Sequence, residues 1–299
     1  MPTISIGLPV YNGENYIREA IDSVLGQSYR DFELVICDNH SSDATQEICE
    51  DYAARDPRVR YFRNEKNLGA APNYNRTFEL SSGTFFKWLG HDDVLADGYL
   101  EKCLAPLLEH ADVVMAFPGL TYIDGEGAVI RHQNRPDFGM MAELPGERTR
   151  QFIDHQKAGD DVFWSVFGLI RREALGKTHL IASYNASDQV LLMELLLQGK
   201  FYQVPEHLYL RREHHNASMT RHKSEAERLK WFDTSLRKKL IFTHWNLLFK
   251  HFKAIREFKP RDSLTCYLQI CRRFFLREWR TMGGEIKLIA KQLIGIGRA

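Results

Sequence analysis

The sequence predicts an α/β fold: a mainly parallel sheet with helices on both faces, then a helical C-terminal extension. Three observations carry this. Strand and helix signals alternate through the first hundred residues, polar groups gather after each strand, and the last third turns basic and amphipathic. Strands separated by helices imply right-handed crossovers and parallel pairing. Such sheets bind ligands beyond the carboxyl ends of their strands.

The elements follow in order. "TISIGLPV" reads as a buried strand, and "ENYIREAIDSVLGQ" as a helix with Ile17, Ala20, Ile21, Val24 and Leu25 at helical spacing. "FELVICD" is a second strand. "SSDATQEICEDYAARD" opens with capping residues and sets Ala44, Ile48 and Tyr52 on one face. "RVRYFRN" and "AAPNYNRTFELSS" form the third strand and helix, "TFFKWLG" and "LADGYLEKCLAPLLEH" the fourth. Beyond residue 110, "DVVMAF" and "LTYIDGEGAVI" predict a strand and a hairpin turning at Asp124-Gly125. Residues 147–157 and 187–198 read as helices, and "KFYQVPEHLYLRR" as one or two short strands. Residues 225–258, 266–280 and 285–297 carry apolar positions in steps of three and four, the pattern of amphipathic helices.

Composition narrows the classes. A chain of 299 residues, 44% apolar and 26% charged, is long enough for one large domain with an appendage. No apolar run approaches the ~20 residues of a membrane span, and Met1 leads straight into a strand rather than a secretory leader. The five cysteines form no CxxC pair, so neither a disulfide framework nor a zinc site is indicated, and a cytoplasmic location fits. The net charge of +1 hides an asymmetry. Residues 1–210 hold 19 Lys/Arg against 31 Asp/Glu, and residues 211–299 hold 21 against 8. A basic extension of this kind suits an anionic partner, or attraction to the acidic part of the same chain. Its amphipathic spacing favours an anionic membrane surface, peripheral on the inner face of the cell membrane, over nucleic acid. A homodimer through the extension would use the same faces.

After the first strand come Pro9, Val10 and Tyr11; after the second, Asp38 and Asn39; after the third, Asn64 and Asn67; after the fourth, His91, Asp92 and Asp93. Solvated loops explain one such cluster, but four in succession point to a site. Adjacent carboxylates repel, more so when buried, so Asp92 and Asp93 call for a compensating positive charge. Mg²⁺ and Mn²⁺ are held by one or two carboxylates plus substrate phosphates, and either would relieve the pair. Asp93 also suits the N-cap of the following helix.

"ISIGLPVYNGENYIREAIDSVLGQSYRDFELVICDNHSSDAT", "NLGAAPNYN" and "FKWLGHDDVL" together resemble the family 2 glycosyltransferases over roughly residues 1–215. The resemblance implies a GT-A domain over residues 1–220. Its nucleotide-sugar half spans about 1–110 and its acceptor half about 111–220, with residues 221–299 as a basic helical tail. It implies a metal-dependent, inverting transfer from a nucleotide-diphospho-sugar, UDP-sugars favoured, to a cell-surface polysaccharide or lipid-linked glycan. Asp92-Asp93 stand at the family's metal motif, with histidine at its first acidic position; Asp93 is the expected ligand of Mn²⁺ or Mg²⁺ and Asp92 a donor contact. Asp38 or Asn39 would meet the base or ribose, with Pro9, Val10 and Tyr11 as the facing wall and Asn67 and Arg76 near the nucleotide. Asp188, opening "DQVLLMELLLQG", is the expected general base. In "LRREHHNASMT", Arg212 would pair with phosphate and His214 or His215 would reach the metal. Trp164 and Phe167 fall where the family lines its acceptor site, and they suit a core equally well.

Rival classes fit less well. A sugar-nucleotide pyrophosphorylase needs a Gly-rich, Arg-containing loop where "LPVYNGENY" stands, and GxxxxGK[ST] is absent. A catalytically impaired nucleotide-sugar-binding module would account for His91, but not for Asp92, Asp93 and Asp188 together.

Overall fold

The computed structural model describes residues 2–133, 138–157, 162–214, 225–232, 234 and 242–296. Strands β1 (Ile4–Val10), β2 (Phe32–Asp38), β3 (Val59–Arg63) and β4 (Phe85–Trp88) alternate with helices α1 (Ile17–Leu25), α2 (Thr45–Arg55) and α3 (Ala70–Glu79). These four strands pair in parallel in the spatial order β3-β2-β1-β4. Every residue of β1 and β2 is buried, as expected of parallel strands covered on both faces.

The second half continues the same sheet by other means. A two-residue strand β5 (Val94–Leu95) precedes α4 (Tyr99–Glu109), and β6 (Val113–Ile123) turns back into β7 (Val129–His132). Asp124 accepts hydrogen bonds from the Glu126 and Ala128 amides at that turn. Helix α5 (Pro145–Lys157), a 3-10 turn at Val162–Phe167, β8 (Leu169–Arg171), α6 (Arg172–Gly176), α7 (Ser187–Gln198) and β9 (Lys200–Arg212) follow. The nine-stranded sheet runs β3-β2-β1-β4-β8-β6-β9-β5, with β7 on β6. β8 is wedged antiparallel between β4 and β6, so the sheet changes direction beside β4. "KFYQVPEHLYLRR" is one long strand, parallel to β6.

Among the described residues four helices follow: α8 (Glu225–Phe232), α9 (Thr243–Phe258), α10 (Ser263–Arg277) and α11 (Trp279–Ile296). The stretch over 225–258, expected as one amphipathic helix or one broken once, is broken, with Thr234 and Phe242 outside the helices. The extension is also not a separate unit. Leu247, Leu248, Ile255, Ile270 and Phe274 share one apolar cluster with Ile153 of α5 and Val190, Met193 and Leu197 of α7. Burying such side chains contributes roughly 1.5–3 kcal/mol each, ample to fix these helices to α5 and α7.

Candidate active site

At the carboxyl ends of β1, β2 and β4 the structure opens a cavity of about 840 Å³. It brings together Pro9, Val10, Tyr11, Asn39, Asn67, Asp92 and His214 of the sequence-predicted residues. Asp38, Arg76, Asp93, Asp188 and Arg212 do not line it. His215 lies outside the described residues.

The loops after β2 and β3 are held by their own polar groups. Asp38 accepts from the Ser41 amide at 2.8 Å and the Tyr61 hydroxyl at 2.8 Å, with Arg63 beside it at 3.3 Å. Asn39 uses its whole amide internally. Its Nδ2 donates to Asn67 Oδ1 and the Gly69 carbonyl, while its Oδ1 accepts from the Leu68 amide and Asn64 Nδ2, all within 2.9–3.1 Å. An Asn side chain can make about four hydrogen bonds, so none remains for a base edge. Arg76 donates to Asn64 Oδ1 at 2.6 Å within this network. Asp38 and Arg76, expected at the base and the diphosphate, do not line the cavity, and Asn39 lines it with its side chain engaged in the wall.

The loop after β4 separates the two aspartates. Asp93 is buried; its Oδ2 accepts from the Tyr209 hydroxyl at 2.6 Å and its Oδ1 from the Arg212 amide at 3.0 Å. Gly90 makes room for this, because a Cβ there would lie 2.7 Å from Asp93 Oδ2. Burial first, then the Asp92 charge, pushes the Asp93 carboxyl well up. Asp92 faces the cavity with Oδ2 3.0 Å from His214 Nε2. Burial would raise it, but the His91 and His214 imidazoles outweigh that and hold it low. The cavity-facing carboxylate is thus Asp92, whereas Asp93, the expected metal ligand, is turned toward Tyr209 and the Arg212 amide.

Arg212 is corrected too. Its guanidinium donates to the carbonyls of Asp92, Asp124 and Gly125 and pairs with Glu19, leaving no face for phosphate. It also lies 4.6 Å over the Tyr16 ring, bracing β9 against the loop that carries Asp92. Trp164 is buried edge-on to Phe117 and stacked on Tyr209, and Phe167 stacks on Tyr209 at 5.5 Å. Trp164 fills the core and Phe167 packs half-buried against it, and neither lines the cavity. Asp188 opens α7, half-buried, and accepts from the Gln189 amide at 2.9 Å. Sequence reasoning missed Glu14, Tyr16, Asp43, Asn73 and Tyr74 of the cavity wall, along with Lys230 and Trp231 of α8. Glu14 and Tyr16 could have been found as the continuation of the Tyr11 loop; nothing in the spacing of α8 marks it.

The comparisons follow this geometry. Residues 5–178 match the family model described as "Glycosyl transferase family 2". The chain belongs to that family. It is a glycosyltransferase with the GT-A fold. It is 27% identical over 224 residues to the glycosyltransferase GlyG of Streptococcus pneumoniae serotype 4, covering 72% of each chain. Its fold is similar to Staphylococcus aureus TarS 1–349 in complex with UDP-GlcNAc, with a TM-score of 0.64, 16% identity, and 92% and 73% of the two chains covered. It is also similar to the mannosyltransferase PcManGT of Pyrobaculum calidifontis, solved with GDP-Man and Mn²⁺, with a TM-score of 0.59, 15% identity, and 98% and 75% covered.

The glycosyltransferase can be tested for fit to a divalent ion. Among the described residues no three His, Cys, Asp or Glu side chains converge as a complete metal cluster. One carboxylate and one imidazole do meet at the cavity, Asp92 and His214. That pair leaves most coordination positions to ligand oxygens, as Mg²⁺ and Mn²⁺ sites that share substrate phosphates do. The residues fit the ion.

Proposed function

We propose that this glycosyltransferase draws its sugar from a nucleotide-diphospho-sugar, a UDP-sugar in the first instance, bound in the cavity at the strand ends. The acceptor is a cell-surface polysaccharide or a lipid-linked glycan. The meeting of Asp92 and His214 at that cavity carries the reading. These two would hold Mn²⁺ or Mg²⁺, which supplies positive charge at the diphosphate leaving group. Tyr11, 44% exposed at the lip, supplies an aromatic face for the base. The backbone of the rigid Asn39–Asn67 wall orients it.

Transfer proceeds with inversion. The acceptor oxygen attacks the anomeric carbon as the bond to the diphosphate breaks, and the acceptor proton passes to the Asp188 carboxylate. Supporting this role, Asp188 is the single acid in the first turn of α7, on the acceptor-side half. General-base catalysis contributes about 10²- to 10⁴-fold, so Asp188→Asn is expected to lose turnover on that scale while donor affinity holds. A panel of UDP-, GDP- and dTDP-sugars with Mn²⁺ checks both. No turnover of any donor would overturn the enzyme reading, and a wild-type rate in the variant would move the base elsewhere.

The acceptor reading extends to location. On α10 and the start of α11, Leu264, Leu268, Phe275, Leu276 and Trp279 are exposed along one stripe, while Cys266, Ile270 and Phe274 are buried on the opposite face. Arg272 lies exposed within the stripe, and no helix among the described residues is long and apolar enough to cross a membrane. An apolar stripe set with cations suits attachment to an anionic bilayer surface. Binding to anionic but not neutral vesicles is expected, weakened by salt and by Leu268→Glu. A full chain that ignores anionic vesicles at low salt but self-associates would assign the stripe to a dimer instead.

A further inference from the structure

The donor cavity has a wall that the family match does not reach. The match ends at residue 178, whereas α8 and the residue just beyond it bring Lys230, Trp231 and Thr234 to the cavity from the C-terminal extension. Two contacts seat this wall. Thr234 Oγ1 donates to the Asn67 carbonyl at 3.1 Å, and Phe232 packs half-buried against the main core. The extension thus touches the rigid asparagine wall itself.

The charge around the cavity then poses a problem. Its described lining includes the acids Glu14, Asp43, Asp92 and Glu227, against a single lysine or arginine, Lys230. A nucleoside diphosphate adds about two more negative charges. The two arginines expected at the phosphates do not relieve this. Arg212 is enclosed by carbonyls and Glu19, and Arg76 is engaged with Asn64.

We propose that Lys230 is a phosphate-binding residue of the donor site, carried to it by the C-terminal helices. This deepens the donor reading above and rests on it. A lysine suits the position: its ammonium is a compact point charge on a flexible stem, able to follow phosphate oxygens from a helix at the cavity rim. The extension has a second role under this assignment. Besides packing on α5 and α7, it completes the donor site, so the part matched by the family model lacks one wall of the cavity.

The test separates phosphate from base. Calorimetry on the full chain compares wild type with Lys230→Met and Lys230→Arg. The probes are whichever of UDP, GDP and dTDP wild type binds best, beside its bare nucleoside, with Mn²⁺ at two salt concentrations. Lys230→Met is expected to weaken the nucleoside diphosphate about tenfold or more, the effect of losing a charge-assisted hydrogen bond. Nucleoside affinity should not change, the salt dependence of diphosphate binding should flatten, and Lys230→Arg should restore most of the loss. Equal weakening of nucleoside and diphosphate would mean that Lys230 only packs the wall, and unchanged diphosphate affinity would also overturn the proposal. Unchanged donor binding with a raised acceptor KM would move the lysine to an acceptor phosphate. A wild-type chain that binds no nucleoside diphosphate would overturn the donor reading itself and this proposal with it.

Discussion

Two stretches of one sheet edge treat their polar residues in opposite ways. After β2 and β3, Asp38, Asn39, Asn64 and Asn73 spend their side chains on one another and on the backbone. Asn64 Nδ2 bridges Asn39 and Asn73, and Asn73 in turn donates to the Cys37 carbonyl. After β4, Asp93 is spent in the same way, but Asp92 keeps a carboxylate toward the cavity, with His214 Nε2 against it. On the proposed reading, the first region is a frame whose backbone and apolar faces meet the nucleotide, and the second is where charge meets the diphosphate. Polarity at a strand end therefore does not distinguish a scaffold from a contact; the count of hydrogen bonds already made does.

Substitutions can break that comparison. Asp92→Ala should cost most in function: about 10²-fold or more in metal-dependent turnover, the scale on which metal sites respond to altered ligation. Its stability should change little, because Asp92 gives the fold few hydrogen bonds. Asn39→Ala should do the reverse. It strips four internal hydrogen bonds and leaves the buried Asn64 amide, the Leu68 amide and the Gly69 carbonyl short of partners. Each such orphan costs roughly 1–3 kcal/mol, so a loss of about 3 kcal/mol or more is expected by chemical denaturation. A variant that keeps full stability but loses nucleotide binding would make Asn39 a contact after all.

A pH-dependent effect lies beneath the second region. Lys87 of β4 is fully buried; its Nζ has no hydrogen-bond partner among the described residues and sits over the rings of Tyr99 at 4.1 Å and Tyr209 at 5.2 Å. Burial pulls its pKa down from 10.5 to about 7. The unfolded chain therefore binds the proton more tightly than the folded one between those values. This residue's destabilisation is full below about pH 7 and fades as pH rises toward 10.5. Lys87→Met should raise the melting temperature more at pH 6 than at pH 9.5. An equal gain at both pH values would show that the lysine is not held against its charge, and that the rings compensate it.

Much of the fold was legible, and the reasons are specific. "FELVICD" matches β2 residue for residue, because its apolar run at residues 34–37, flanked by Glu33 and Asp38, has few other fates. The short strands β5 and β8 were not legible. Two or three residues carry no period, and their pairing with β9, β4 and β6 is decided by tertiary contacts. Within the site, the loops were found but not the division of labour inside them. Whether Asp92 or Asp93 faces the ligand depends on the turn at Gly90 and on Tyr209, more than a hundred residues away. Arg212 looked like a phosphate ligand because its charge is visible in sequence and its enclosure is not. Trp164 is the converse, an aromatic whose partners Phe117 and Tyr209 become evident only in three dimensions.

On the proposed reading Asp92, not Asp93, couples a divalent ion to the bound nucleotide. Calorimetric titration of UDP, GDP and dTDP into wild type, Asp92→Asn and Asp93→Asn, each with Mn²⁺ and with EDTA, tests it directly. Wild type should bind its preferred nucleotide more tightly with Mn²⁺. Asp92→Asn should lose that Mn²⁺ increment while keeping the affinity seen in EDTA. Asp93→Asn should keep the increment at reduced thermal stability. An Mn²⁺ increment that survives in Asp92→Asn, or that vanishes in a folded Asp93→Asn, would contradict the account.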